Sequence, residues 1–264
     1  MTATTVSPRT IGISWNRVLA AEGRKQVTLR STWWTLALTV LAIAGAGVVN
    51  ALGVYFGQLV ATPEDVGPLG GALAGITLAE IVVLVVGVLA VTGEYASGVV
   101  RSTFTAVPSR TPVVLAKAGV AGASVLAVSA ALTVGTFGLD RILYATKDYH
   151  LALSAPGVLR SLLGAAAYLG LIAVIGTALG WLLRSTAGAV GAMLGLLYGL
   201  PIIGLMIPEA YAATIMRFLP ANAGGALMDP VAAPGAAWAG LAVLAGWAAL
   251  FLTGAVLVVR RRDA

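Results

Sequence analysis

The chain has no cysteine and one histidine, His150, among 264 residues. Without cysteine there is no disulfide, no thiolate nucleophile and no Cys-ligated zinc or iron–sulfur centre. A lone histidine excludes a His-cluster metal site, and no metal-ligating constellation stands out elsewhere. Charge is also scarce: 10% of residues are Asp, Glu, Lys or Arg, against about 25% in a soluble domain. Lysine is limited to Lys25, Lys117 and Lys147, none of which follows a glycine. A phosphate-binding loop ends in Gly-Lys-Ser/Thr, so this chain cannot hold ATP by that route.

What is abundant is apolar surface, with 59% of residues hydrophobic. A helix crossing about 30 Å of hydrocarbon needs about 20 mostly apolar residues. Six runs qualify: 34–57, 71–92, 113–137, 158–183, 188–207 and 236–259. The fold class expected is therefore an all-α integral membrane protein with six transmembrane helices, a single transmembrane domain over 1–264. Residues 1–32 form a tail and interfacial helix, 33–259 the spans, and 260–264 a second tail. The first run, 24 residues long, exceeds the roughly 7–15 of a cleavable signal core and is expected to stay in the mature protein.

Lys and Arg in the loops set orientation. Twelve of the sixteen basic residues fall on the side of the two termini and the second and fourth loops. Only Arg141, Lys147, Arg160 and Arg217 fall opposite, with Glu64, Asp65, Asp140, Asp148, Glu209 and Asp229. Both termini are expected in the cytoplasm, so the net charge of +6 reflects topology and implies no nucleic-acid partner. Residues 14–30 place Arg17, Arg24, Lys25 and Thr28 on one helical face and Trp15, Leu19 and Val27 on another. That pattern suits a helix lying at anionic headgroups, with Trp33 and Trp34 as interfacial anchors.

The second loop reads Gly93-Glu94-Tyr95-Ala96-Ser97-Gly98-Val99-Val100-Arg101. This resembles the cytoplasmic-loop signature of type-2 ABC transporter permeases and of the G subfamily of ABC exporters. Pro108, Arg110 and Ala116-Lys117 continue the pattern of bacterial members, and Glu22, Lys25, Arg30, Ser31 and Trp33-Trp34 are similar to their lead-in. The resemblance implies a permease that is not an enzyme by itself. ATP and Mg would belong to a separate ATPase subunit, in the bacterial plasma membrane. Glu94, Tyr95, Ser97, Gly98 and Arg101 would lie on a coupling helix that docks that ATPase. A second permease subunit, identical or not, would complete a dimer around a path for a hydrophobic or amphipathic molecule. The fifth loop, 208–235, would supply re-entrant helices closing an outer gate, with Tyr211, Ile215 and Phe218 as gate candidates.

The residues themselves add further expectations. If 94–105 is one helix, Glu94 and Arg101 share a face about two turns apart. Glu80 is the one ionisable residue read deep inside a span, either lining a path or hydrogen-bonded to a neighbouring helix. Gly191, Gly195 and Gly199 recur every fourth residue before Pro201, a spacing that suits close packing within the subunit or across a dimer, with a proline kink beyond. Other classes fit less well. A secondary transporter usually shows internal repeats and several intramembrane acids, and an intramembrane lipid-modifying enzyme needs clustered acids near a membrane face. A scaffold without transport stays open on composition.

Overall fold

A computed structural model describes residues 14–28, 30–57, 67–146 and 150–261. Among these residues the structure is helical, with no strand, and six helices are long and apolar enough to cross a membrane. They are span 1 (Trp33–Tyr55), span 2 (Pro68–Ser97), span 3 (Thr111–Ala145), span 4 (Val158–Leu183), span 5 (Thr186–Gly204) and span 6 (Pro234–Arg261). Span 4 begins and ends where its apolar run does. Spans 2 and 3 run on to Ser97 and Ala145, past polar residues that helical packing tolerates. Arg9, Glu64, Asp65, Lys147 and Asp148 lie outside the described residues, as does Arg262.

The helix boundaries follow backbone chemistry. Span 2 stops because Gly98 adopts a left-handed φ of 75°, open to glycine at little cost; a separate short helix, Val99–Ala106, starts after it. Span 4 ends at Arg184, and Ser185 Oγ then accepts a bond from Gly188 N at 3.3 Å to cap span 5. Pro201 lacks the N–H that an α-helix would use, and the helix widens into a π-turn over Gly195–Gly199 just before it. Span 1 carries a similar turn over Leu41–Gly45.

Span 4 is the centre of the bundle and touches spans 2, 3, 5 and 6. In lipid, helix association depends on close van der Waals approach, which small residues permit. A Cβ added at Gly87 of span 2 would stand 2.6 Å from the Ala173 carbonyl oxygen. From span 4, one at Gly176 would stand 3.0 Å from the Leu84 oxygen, and one at Gly180 3.1 Å from the Val88 oxygen. These glycines, not those of span 5, bring two backbones together.

The N-terminal helix Trp15–Thr28, the helix Val99–Ala106 and the end of span 6 gather at one end of the bundle, where Arg110 Nη1 donates to the Val259 carbonyl at 3.2 Å. The fifth loop occupies the other end as two helices, Glu209–Met216 and Pro220–Met228. The second is wedged between spans 4 and 6: Gly224 packs on the Tyr168 ring, Gly164 on Leu227 and Gly240 on Ala223. Trp247 Nε1 donates to the Phe218 carbonyl at 2.8 Å. Trp247 stands thirteen residues into span 6, about 20 Å along the helix, so the loop folds well down the bundle. Arg160 Nη2 clips its far end, donating to the carbonyls of Asp229, Pro230 and Ala232 at 2.9, 3.1 and 2.8 Å.

Candidate functional site

At the basic end, four side chains from three elements close a ring. Lys117 Nζ of span 3 bonds Glu22 Oε2 at 2.6 Å and Glu94 Oε1 at 2.8 Å. Lys25 Nζ, from the N-terminal helix, bonds Glu22 Oε1 at 2.7 Å and Glu94 Oε1 at 3.0 Å. Two carboxylates and two ammonium groups alternate, so the ring is neutral. The Lys117 and Glu22 side chains are 6% and 5% exposed, and charges so far from water persist only when paired. Burial alone would raise Glu22, but the Lys117 and Lys25 ammonium groups offset it and hold the carboxyl below its usual range. For Lys25, burial would lower the ammonium pKa, and the bonds to Glu22 and Glu94 raise it above the usual value instead.

This ring corrects two expectations. The buried face of the N-terminal helix carries Val18 and Glu22, with Lys25 turned into the ring, while Trp15 and Val27 are exposed. The basic stripe read from the sequence is thus split. Residues 94–105 are likewise not one helix. Gly98 breaks them, so Glu94 ends span 2 and faces inward while Arg101 stands exposed on Val99–Ala106. The two do not share a helical face, and Glu94 is occupied by its own chain.

Tyr95 is occupied too. Its ring meets Trp181 edge-on, with centroids 5.7 Å apart, and Trp181 stacks on Phe104 at 5.8 Å. Arg184 lies over Tyr95 and Arg110 over Phe104, each 5.2 Å from the ring centroid. Such aromatic and cation–π contacts, buried at this end, fix the short helix against span 4. Of residues 93–101, Gly93, Ala96, Ser97, Gly98, Val99 and Arg101 remain on the surface. Ser97 Oγ donates to the Gly93 carbonyl at 2.8 Å, and Thr105 Oγ1 to the Arg101 carbonyl at 2.9 Å.

Glu80 lies on the wall of a cavity of about 540 Å³ between spans 2, 4 and 5 and the helix Pro220–Met228. The hydroxyls of Tyr168 and Tyr198 interact with its carboxyl. Even so, Glu80 Oε1 and Tyr198 Oη have no hydrogen-bond partner of standard geometry among the described residues. The other lining is apolar apart from Thr77, and it includes Pro201.

Glu80 is not the only acid inside the bundle. Asp140, read from the sequence as an outer-loop residue, sits in the last turns of span 3 at 0% exposure. Neither of its oxygens has a hydrogen-bond partner among the described residues. Added Cβ atoms at Gly71 and Gly47 would stand 2.6 and 3.4 Å from Asp140 Oδ2, so glycine backbone covers it. One turn on, Tyr144 Oη donates to Asn50 Oδ1 at 2.9 Å. An acid in a polar-looking sequence gave no hint that distant glycines close over it.

The remaining candidates lie on the surface of the chain. Cβ atoms at Gly191, Gly195 and Gly199 would meet nothing within 4 Å, so this stripe packs on no helix of its own subunit. Gly195 and Gly199, with Leu200, Ile203 and Phe251, line an open, wholly apolar cleft of about 400 Å³. Tyr211, Ile215 and Phe218 are 65%, 46% and 52% exposed, so the fold of one chain does not shield them. His150 is exposed on the third loop. Among the described residues no group of three or more His, Asp or Glu gathers as a metal site. Comparison with protein-family models and with curated proteins gives no match for the chain.

Proposed function

We propose that this chain is the membrane subunit of an ATP-driven ABC exporter of hydrophobic or amphipathic small molecules, working with a separate ATPase chain. The observation that carries the reading is the basic end of the bundle. There the short helix after Gly98 is held by Tyr95, Phe104 and Trp181, and Arg101 on its outer face is left uncovered together with Ser97 and Gly98 at the joint with span 2. A partner pressing on that face would push span 2 directly, because Gly98 joins helix to span. Glu94 and Lys117 would carry the push to the N-terminal helix through the charge ring. ATP and Mg bind the ATPase in this scheme. The excess of basic residues supports a cytoplasmic position for this end and both termini, in what this reading takes as a bacterial plasma membrane. A second permease subunit, homodimeric or heterodimeric, would cover the glycine stripe of span 5 and the exposed Tyr211, Ile215 and Phe218 as an outer gate of re-entrant helices.

Co-expression with an ATPase encoded beside this chain tests the reading. The pair should co-purify and Arg101→Ala should weaken the association, since breaking a charged contact desolvated at an interface costs about 2–5 kcal/mol. Failure to co-purify, or ATP turnover by the purified chain alone, would overturn it. One observation favours a second reading, a proton-driven secondary transporter. With Asp140 in addition to Glu80, the bundle holds two buried acids within its spans, the residues such carriers use. Substrate movement by the chain alone under a pH gradient would select that reading.

A further inference from the structure

We infer that the cavity beside Glu80 is a binding site for a lipophilic organic cation, a molecule with one positive charge and an apolar body. The inference deepens the exporter reading and rests on it for its biological meaning, though binding itself needs no ATPase. Three features of the cavity argue for this class. The first is charge. Glu80 is the one acidic residue on the cavity wall, and among the described residues no lysine, arginine or histidine lines it. A carboxylate within a span needs a partner; among the described residues only the neutral tyrosine hydroxyls face it, no cationic side chain lines the cavity, and Oε1 is left without a hydrogen bond. An anion would be repelled, and a neutral ligand could at most donate a hydrogen bond to Oε1 without balancing its charge.

The second feature is the shape and chemistry of the wall. Tyr198, half-buried, and Tyr168 present hydroxyls toward the carboxyl, and an aromatic face near the acid attracts a weakly hydrated cation. Ile76, Pro201 and Met228 provide the apolar surface that an organic body would cover. The third feature is size. About 540 Å³ falls in the range of roughly 300–1,000 Å³ typical of small-molecule sites. Bare metal ions fit poorly, because Ca²⁺ and Mg²⁺ need about six oxygen ligands and Glu80 is the only acid among the described residues lining the cavity. Ile202 on the cavity wall is 65% exposed, so the cavity reaches the outer surface of span 5, where such a ligand would enter.

Tetraphenylphosphonium and tetraphenylborate have the same shape and opposite charge, so together they isolate the carboxylate's contribution. With the chain in lipid nanodiscs, phosphonium binding should saturate, and Glu80→Gln should weaken it at least tenfold. Borate should show only the non-saturating uptake of the lipid. A second measurement leaves Glu80 in place: a cysteine introduced by Ile202→Cys should be protected from maleimide by phosphonium and not by borate. Equal binding or protection by the two ions, or phosphonium binding unchanged in Glu80→Gln, would overturn the inference. Loss of ATPase association would leave these results untouched, so the two proposals fail separately.

Discussion

Removing Lys117 is the sharpest perturbation of the charge ring. Its ammonium bridges Glu22 and Glu94 at 2.6 and 2.8 Å from a side chain 6% exposed. Lys117→Met keeps the apolar stem and leaves two carboxylates facing Lys25 alone. Breaking a buried pair by removing one partner costs about 3–5 kcal/mol. The lower figure applies here, because Lys25 is 33% exposed and admits solvent to the ring. About 3 kcal/mol is two powers of ten in an equilibrium constant, here that between the docked and lifted N-terminal helix. Val18, 6% exposed on that helix, provides the assay: a cysteine placed by Val18→Cys in this cysteine-free chain reacts with maleimide only when the helix lifts. Lys117→Met should speed labelling about a hundredfold, and adding Glu22→Gln, which restores neutrality, should recover at least a tenfold share of that. Labelling within threefold of the parent, or two single effects that simply add, would refute the reasoning.

The same probe carries a pH dependence. Glu22, depressed in the folded state, contributes stability above its unfolded pKa of about 4.3 and loses it as pH falls further. Lys25, raised when folded, contributes below its unfolded pKa of about 10.4 and loses it as pH rises past the folded value. Because the thiolate is the reacting form and titrates at about 8.5, labelling of the Val18 site is taken relative to an exposed cysteine at the same pH. That ratio should be flat between those limits and rise outside both; a change in the ratio centred near neutrality would point to another group. Gly87→Ala should destabilise the bundle, because its Cβ would meet the Ala173 carbonyl, whereas Gly191→Ala should leave the melting temperature of a single subunit unchanged. Equal losses in the two variants would contradict the assignment of close packing to spans 2 and 4. Cysteines at Ile215 and Phe218 should label from outside more slowly than one at His150 if lipid or a second subunit covers the fifth loop, and equally fast if that loop is simply solvated.

The six spans were legible because length and hydropathy alone decide them, and Arg260 and Arg261 mark the last helix end plainly. Helix ends inside polar sequence were less so. Glu94 belongs to span 2 because Lys25 and Lys117 meet it there, a pairing between positions 69 and 23 residues apart. Each ring member was visible in the sequence, but their juxtaposition is tertiary. Gly98 was visible as a turn signal; that it would adopt a positive φ and divide the loop in two depends on Tyr95 and Phe104 both anchoring on Trp181. Asp140 was hidden for a similar reason, since the glycines covering it come from span 1 and the start of span 2. The four-residue spacing of Gly191, Gly195 and Gly199 promised a packed face, yet Gly176 and Gly180 carry the same spacing and do the packing. Periodicity finds small faces, while the partner helix decides which is used.

ATP-dependent uptake of tetraphenylphosphonium into inside-out vesicles tests the central claim most directly. The account requires uptake only when this chain and its ATPase are both present with ATP and Mg, and its loss in Arg101→Ala while phosphonium binding is retained. Uptake by this chain without the ATPase, driven by a proton gradient and indifferent to ATP, would contradict it.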